Sequence, residues 1–447
     1  MLQRRILVSL AVTALGLLFG AVAFFYPPKE ESQPNIVLIF CDDLGYGDLR
    51  SYGHPTIATP HLSQMAQDGM LFTQFYSASP ACTASRYALL TGRYPVRSGF
   101  DWVLYPKSER GLHPQEHTLA EGLKSAGYRT GCFGKWHLGS TQPGFLPLQH
   151  GFDTYVGLPY SNDMIPPKWP DIALLSGNDT LMMNPDQATL TGLYTQSAID
   201  FIKADPTAPF FVYLPFAMPH VPLHPGAAFA GRSKAGIYGD VVEEIDDAVG
   251  RIRSALQEAG LSENTLMLFT SDNGPWIIKG PKGGSAGHLR DGKGSTWEGG
   301  MRVPGIVCWP GKIAPGQVQR TPANTMDWYT TLLGLAGQPL PAGRPVDGQD
   351  LGPLLRGDTL AERPFFYYGP GNQLQAVRKG AWKLHRITSS QTGIDYFEGK
   401  LPLLFNLEED PGERFDRSDE FPGVVAELEG LMDLHQASIR QAGSYWD

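Results

Sequence analysis

The chain has 447 residues, 42% of them hydrophobic, with 45 acidic against 36 basic residues and a formal charge of −9. That length allows one large α/β domain with an appendage, or two medium domains, and a core large enough to enclose a deep pocket. The basic residues are scattered, which argues against a nucleic-acid surface built on phosphate neutralisation, so an anionic substrate needs a local positive site.

Residues 1–33 open with Arg4 and Arg5, followed by an apolar run from Ile6 to Tyr26 that contains the small-residue stretch Ala21-Val22-Ala23. This reads as an export signal. About 20 apolar residues also suffice to span a bilayer, so a cleaved signal peptide and a retained membrane anchor both fit. Either way the rest of the chain is expected to be exported: periplasmic, extracellular, or anchored and facing outward. Its four cysteines, Cys41, Cys82, Cys132 and Cys308, are too few for a disulfide scaffold, and their spacing matches no zinc pattern.

From Pro34 onward short apolar runs alternate with amphipathic segments. NIVLIF (35–40) predicts a buried parallel strand. A helix follows, with Thr59 as cap, Pro60 at its first position and Gly69 as its stop. HTLAEGLKSAG repeats the logic with Thr118 as cap, ahead of the strand-like YRTGCFG. FFVYLPF (210–216) and TLMLFTS (265–271) predict further buried strands, and between them Ile245, Ala248, Val249, Ile252 and Leu256 recur at helical spacing. The fold expected is α/β: a large mixed, mostly parallel sheet with helices on both faces. Beyond residue 355, PFFYYG, LQAVRKGAWKLHRI and PLLFNLEED predict a small antiparallel sheet, and AELEGLMDLHQASIRQAG one closing helix. The expected division is 34–355 for the catalytic domain and 356–447 for a C-terminal α+β subdomain, with the proline-rich stretch 335–346 as linker.

In parallel sheets ligands bind beyond the carboxyl ends of the strands, so the residues after each strand carry the functional signal. NIVLIF-Cys41 runs into Asp42 and Asp43, and TLMLFTS into Asp272 and Asn273. Adjacent carboxylates are costly without a neutralising cation, although Asp/Gly turns alone can look similar. Three carboxylates and an amide oxygen suit calcium or magnesium better than zinc. After the third strand come Lys135 and His137, which an extended backbone would place on one side, although lysines and histidines after strands are usually just solvated. After the fourth come His220 and His224, whose i, i+4 spacing resembles a helical zinc pair. Pro222 between them opposes a helix. Lys293 sits in a glycine-rich stretch that lacks the order of a phosphate-binding loop. Cys82 begins a helix that Thr83 or Ser85 could cap and Gly92 ends, with Arg86 one turn along. On these residues alone an anion site and a thiol nucleophile are both open.

Taken together, PNIVLIFCDDLGYGDLRSYGHP, CTASRYALLTGRYPVRSG, GKWHLG, GLPYSND, PHVPLHP, TSDNGP, GKGSTWEGGMRVP and LFNLEEDPGE occur in the order found in sulfatases of the arylsulfatase A type, within the alkaline phosphatase-like superfamily. The resemblance covers about residues 34–420. It implies that a maturing enzyme oxidises Cys82 to formylglycine, whose hydrated aldehyde is the nucleophile. It further implies that Asp42, Asp43, the modified Cys82, Asp272 and Asn273 surround the cation, usually calcium. His220 with Lys293 would protonate the leaving alcohol or phenol, Arg86, Lys135 and Lys293 would offset charge on the transferring group, and His137 would act as base when sulfate is expelled. Ser161 falls at another substrate-contacting position. The implied substrate is a sulfated small molecule, lipid or carbohydrate. This chain has Ala84 where the family motif usually carries proline. A phosphatase or phosphonate monoester hydrolase of the same superfamily is the first rival reading, and an unmatured binder of sulfated glycans the second. Asn178-Asp179-Thr180 matches a glycosylation acceptor.

Overall fold

The computed structural model describes residues 33–442 and 444–446, so the export segment lies outside the described residues. Among those described, no helix is long and apolar enough to cross a membrane. The large sheet is built from β1 (Asn35–Cys41), β2 (Met70–Tyr76), β3 (Arg129–Phe133), β4 (Thr154–Gly157), β5 (Ala173–Ser176), β6 (Asp179–Met183), β7 (Phe210–Pro215), β8 (Thr265–Ser271), β9 (Arg302–Cys308), β10 (Gln317–Gln319) and β11 (Ala323–Asn324). Its order is β10-β2-β9-β8-β1-β7-β3-β4-β5-β6, with β11 also on β2. The centre is parallel: β1 pairs with both β7 and β8, and β3 pairs with β7. β9 runs antiparallel between β8 and β2.

β1 shows why the centre is buried on both sides. Ile36, Leu38 and Phe40 pack in one cluster with Leu89 and Leu90 of the helix Cys82–Thr91. Val37, Ile39 and Cys41 pack in the other with Ile245, Val249 and Ile252 of the helix Gly236–Glu258. The period-two alternation of an all-apolar strand therefore feeds two helical layers. Each fully buried side chain of this kind contributes about 1.5–3 kcal/mol of hydrophobic stabilisation.

β12 (Phe365–Gly369), β13 (Gln373–Lys379), β14 (Trp382–His385) and β15 (Leu403–Asn406) form the small sheet in that order, antiparallel throughout. The helix Pro422–Ala442 closes the chain, and its Leu428 and Met432 pack in one buried cluster with Ala376 of β13 and Leu384 of β14. Residues 34–447 make one compact unit.

The predicted strands and the helices around them form where expected, but two capping expectations fail. Thr118 does cap its helix, accepting the Glu121 amide at 3.1 Å while Glu121 accepts the Thr118 amide at 2.6 Å. Thr59 does not. Its hydroxyl accepts the Arg50 amide, and the first turn of the helix Pro60–Asp68 is capped by Asp246, which accepts the amides of His61 and Leu62. A carboxylate from a packed helix has replaced the local cap. Neither Thr83 nor Ser85 caps the helix Cys82–Thr91. Thr83 Oγ1 instead donates to the His137 carbonyl and accepts the Leu104 amide, and Ser85 Oγ is buried without a partner.

Candidate active site

Four neighbouring parallel strands deliver the polar residues. Cys41 and Ser271 end β1 and β8 in register, so Asp42 and Asp272 follow side by side. The Asp272 amide bonds the Cys41 carbonyl at 3.0 Å, and Asp272 Oδ1 accepts the Asp43 amide at 3.0 Å. Asp43 is held with φ of 63°, a left-handed conformation that non-glycine residues adopt at a cost and that concentrates at functional sites. Gly134 directly follows β3, and there φ is +141° and a Cβ would lie 1.9 Å from the Pro215 carbonyl oxygen, so only glycine fits. That close approach lets the Lys135 amide bond Pro215 at 2.7 Å.

Lys135 and His137 are both buried rather than solvated. The backbone does not stay extended between them: His137 has φ of 59°. Its Nε2 pairs with the Leu104 carbonyl at 2.9 Å, which leaves Nδ1 bare, buried and without a partner. His220 also lies in the cluster, with Nε2 3.6 Å from Asp43 Oδ2 and Nδ1 donating to the Val221 carbonyl at 2.5 Å. The segment carrying His220 and His224 forms no helix.

Cys82, the first residue of its helix, sits between charges of both signs. Its Sγ is 3.4 Å from Asp42 Oδ1, and Lys293 Nζ is 3.5 Å from Sγ. Lys293 Nζ also lies 2.8 Å from Asp43 Oδ1. Lys135 Nζ donates to Asp42 and, at 3.1 Å, to Ser161 Oγ. Arg86 Nη2 bridges Asp272 at 2.8 Å and Asp42 at 3.3 Å, while Nη1 holds the Lys135 carbonyl at 3.1 Å. Every candidate site residue from the sequence except His224, which is only half-buried, is thus buried in one constellation of three aspartates and three basic side chains.

The electrostatics are those of charges crowded away from water. Burial opposes ionisation of Asp42, but Lys135, His220 and Arg86 overcome it and hold that carboxyl well below the usual range. Burial, with the negative charge of Asp42, pushes Asp272 up. Burial, then Asp42, pushes the Cys82 thiol well up, so as cysteine it is a poor thiolate. Burial lowers His137, helped by Lys135 and Arg86, and lowers His220, helped by Lys293, so both imidazoles favour the neutral form.

The donor set could hold a metal ion. Asp42, Asp43, Cys82 and His220 bring ligand atoms within 4.8 Å of one another. Asn273 Nδ2 donates to Asp43 at 2.7 Å, whereas Asn273 Oδ1 is buried with no partner. A buried amide oxygen facing no donor beside three carboxylates is suited to serve as a cation ligand.

Sequence reasoning missed Trp276, whose ring centroid lies 5.3 Å from that of His220 and 4.6 Å from Lys293 Nζ. An aromatic two residues past the Asn273-Gly274 strand end was the available signal. It also missed the Thr83 and Leu104 contacts that fix His137, which join distant segments and leave no local pattern.

The sulfatase family profile matches residues 34–338, and a profile described as the C-terminal region of aryl-sulfatase matches residues 361–446. N-acetylgalactosamine-6-sulfatase of Rattus norvegicus is 41% identical over 96% of this chain and 88% of its own. Arylsulfatase A of Homo sapiens is 41% identical over 92% and 88%. The crystal structure of the PsFucS1 sulfatase from Pseudoalteromonas sp. superposes with a TM-score of 0.82 at 29% identity, covering 92% of this chain and 91% of that one. With the strand-end cluster and these matches together, the chain belongs to the sulfatase family and is a sulfuric ester hydrolase.

Proposed function

We propose that Cys82 is the precursor of formylglycine and that Asp42, Asp43, Asp272 and Asn273 hold a divalent cation, with calcium favoured and magnesium the alternative. The observation that carries this is the pairing of a suppressed, buried thiol with an oxygen-donor cluster containing the unpartnered Asn273 Oδ1. An oxidised Cys82 supplies a hydrated aldehyde as oxygen nucleophile, and the cation supplies charge for orienting the ester and acidifying that nucleophile.

The side chains divide the remaining work. Asp272, raised by burial and by Asp42 and acting on the Cys82 side chain, is the carboxylate that takes the nucleophile's proton, and Lys293 Nζ, in contact with that side chain, steadies developing negative charge. His220 Nε2 lies 3.6 Å from Asp43 Oδ2, and His220, once it gains a proton on Nε2, is with Lys293 the proton donor to the departing alcohol or phenol. His137, with Nε2 tied to Leu104, presents Nδ1 as the bare base that recovers the resting nucleophile. Ser161 steadies Lys135 at the sulfate. Arg86 fixes Asp42 and Asp272 in place, so its positive charge reaches the reacting group from the second row. Water does not need to attack sulfur, because a diol carries a second hydroxyl.

The test is to express the chain beside a formylglycine-generating or anaerobic sulfatase-maturing enzyme. The Cys82 peptide is then weighed, and release from aryl sulfate is compared with release from aryl phosphate. An aldehyde mass at Cys82 and faster sulfate turnover are expected, with Ala84 tolerated. An unmodified thiol throughout an active preparation, or faster phosphate turnover, overturns the proposal.

A further inference from the structure

We infer that Gln391, reaching from the loop between β14 and β15 of the small sheet, is a positioning residue for the leaving-group side of the reaction: it holds the Trp276 indole in the orientation that seats His220 and Lys293. This rests on the proton-donor role proposed above for that pair and adds what keeps the pair in place.

The contact joins distant parts of the chain. Trp276 Nε1 donates to Gln391 Oε1 at 2.6 Å, across a separation of 115 residues. An indole nitrogen is a donor only, so a single acceptor in reach fixes which edge of the ring faces it. The ring held this way reaches both members of the pair: its centroid lies 5.3 Å from that of His220, with the planes at 43°, and 4.6 Å from Lys293 Nζ. The second distance is a cation–π contact, in which the ammonium is drawn to the face of the ring. Turning the indole therefore moves the place that Lys293 prefers.

His220 needs the same wall. Its Nδ1 is tied to the Val221 carbonyl at 2.5 Å, but Nε2 stands 3.6 Å from Asp43 Oδ2, longer than a hydrogen bond. An imidazole tied at one nitrogen can still swing about that bond, and the Trp276 ring packs against it.

The seat of Gln391 is built into the backbone beside Lys293. Gly294 has φ of 81°, and a Cβ there would lie 2.4 Å from Gln391 Nε2, so the bare backbone is what lets the amide lie against it. The Lys293 amide bonds the Pro275 carbonyl at 2.8 Å, and the Gly294 amide the Pro80 carbonyl at 2.9 Å. Gln391 thus rests on the turn that ties Lys293 to the residue before Trp276. Its loop grips that turn from both ends. Tyr396 donates to Asp291 Oδ2 at 3.2 Å, while Ser389 and Thr296 both donate to Gln375 Oε1, at 3.1 and 2.9 Å.

The test uses the matured full chain and two esters of similar size: phenyl sulfate, whose phenolate is a poor leaving group, and para-nitrophenyl sulfate, whose phenolate departs without a proton. The ratio of their kcat/KM values is the readout, because a loss of folded or matured protein lowers both alike. Gln391→Ala is expected to lose about five- to tenfold more on phenyl sulfate than on the nitrophenyl ester, and Gln391→Glu, which keeps the acceptor, to restore the wild-type ratio. Trp276→Phe keeps an aromatic ring without the N–H. It should shift the ratio in the same direction, and adding Gln391→Ala to it should change nothing further. An unchanged ratio in Gln391→Ala, a Gln391→Glu that behaves like the alanine variant, or losses that add in the double variant overturns the inference. His220→Ala, measured alongside, is expected to shift the ratio by about 100-fold or more. If it leaves the ratio unchanged, the proton-donor role fails and the inference falls with it. If it shifts the ratio and Gln391→Ala does not, the inference alone falls.

Discussion

Two clusters of buried charge invite comparison. One is the catalytic cluster of Asp42, Asp43, Asp272, Arg86, Lys135 and Lys293. The other lies where the small sheet meets the large one: Glu298 accepts Tyr76 at 2.8 Å, Arg302 Nε at 2.7 Å and Lys383 at 2.9 Å. Glu413 accepts the Glu298 amide at 2.6 Å and lies 3.0 Å from Lys383 and 2.7 Å from His385 Nε2. Burial opposes ionisation of both glutamates. Lys383 and Arg302 nevertheless hold Glu298 far below the usual carboxylate range, and Lys383 and His385 hold Glu413 below it. In the catalytic cluster one aspartate is raised instead and an amide oxygen is left without a donor. A cluster that fastens the fold relaxes its own carboxylates, whereas a cluster built for a ligand leaves part of its charge problem open.

The sharpest way to break that contrast is to alter one residue in each cluster. Cys82→Ala is expected to abolish sulfate release, by about 10⁴-fold or more, with a melting temperature within a few degrees of wild type. Glu298→Gln is expected to do the reverse. Removing a buried carboxylate that carries Lys383 and Arg302 costs about 3–5 kcal/mol, read as a lowered denaturant midpoint, while kcat of the surviving folded fraction stays near wild type. A Cys82→Ala protein that melts like Glu298→Gln would erase the distinction between the clusters.

The next comparison is inside the catalytic cluster. Asn273→Ala removes the unpartnered oxygen and the donor to Asp43. It is expected to weaken divalent-cation affinity by about 10–100-fold, the range typical of losing a supporting metal contact, measured by titrating chelated protein with calcium. Its effect on folding in chelator should be much smaller. An unchanged calcium titration would show that Asn273 is no ligand.

Motifs and strand ends made the catalytic cluster legible in the sequence. Asp42 and Asp272 each follow an apolar run and Lys135 the strand-like YRTGCFG, and parallel topology brings those ends together. The second cluster was hidden, because Glu298 finds Lys383 at a separation of 85 residues and Glu413 at 115. Yet Glu298 stands in STWEGG and Glu413 ends NLEEDPGE, two stretches that carried the family resemblance. The structure gives these glutamates a fastening role. β2 and β9 were also missed: β9 contains Pro304 and Gly305, which mask a strand, and β2 is only partly buried. His137 escaped the extended-chain expectation because its left-handed backbone is fixed by tertiary contacts with Pro159 and Thr83.

The pH response sharpens the comparison further. Glu413 is ionised more readily in the folded than the unfolded chain, so its stabilisation is present above the unfolded glutamate value of about 4.3 and is lost as pH falls through the lower folded value. The stability gap between wild type and Glu413→Gln should therefore be widest near neutral pH and shrink below about pH 4. Denaturant melts at several pH values measure it, and a gap that widens with acid would reverse the assigned sign.

The smallest effect tests whether charge or burial gives the second cluster its strength. Lys203 and Glu258 form an ion pair at 2.9 Å, as short as that of Lys383 with Glu298, but their side chains are 46% and 66% exposed. In water the attraction is screened, and two long side chains lose freedom in meeting, so Lys203→Ala is expected to cost about 0.5 kcal/mol or less. Lys383→Ala leaves Glu298 and Glu413 facing each other in the interior and should cost several times more. Equal melting temperatures for the two variants would mean that distance alone sets the value of an ion pair here, and the contrast drawn between buried clusters would lose its physical basis.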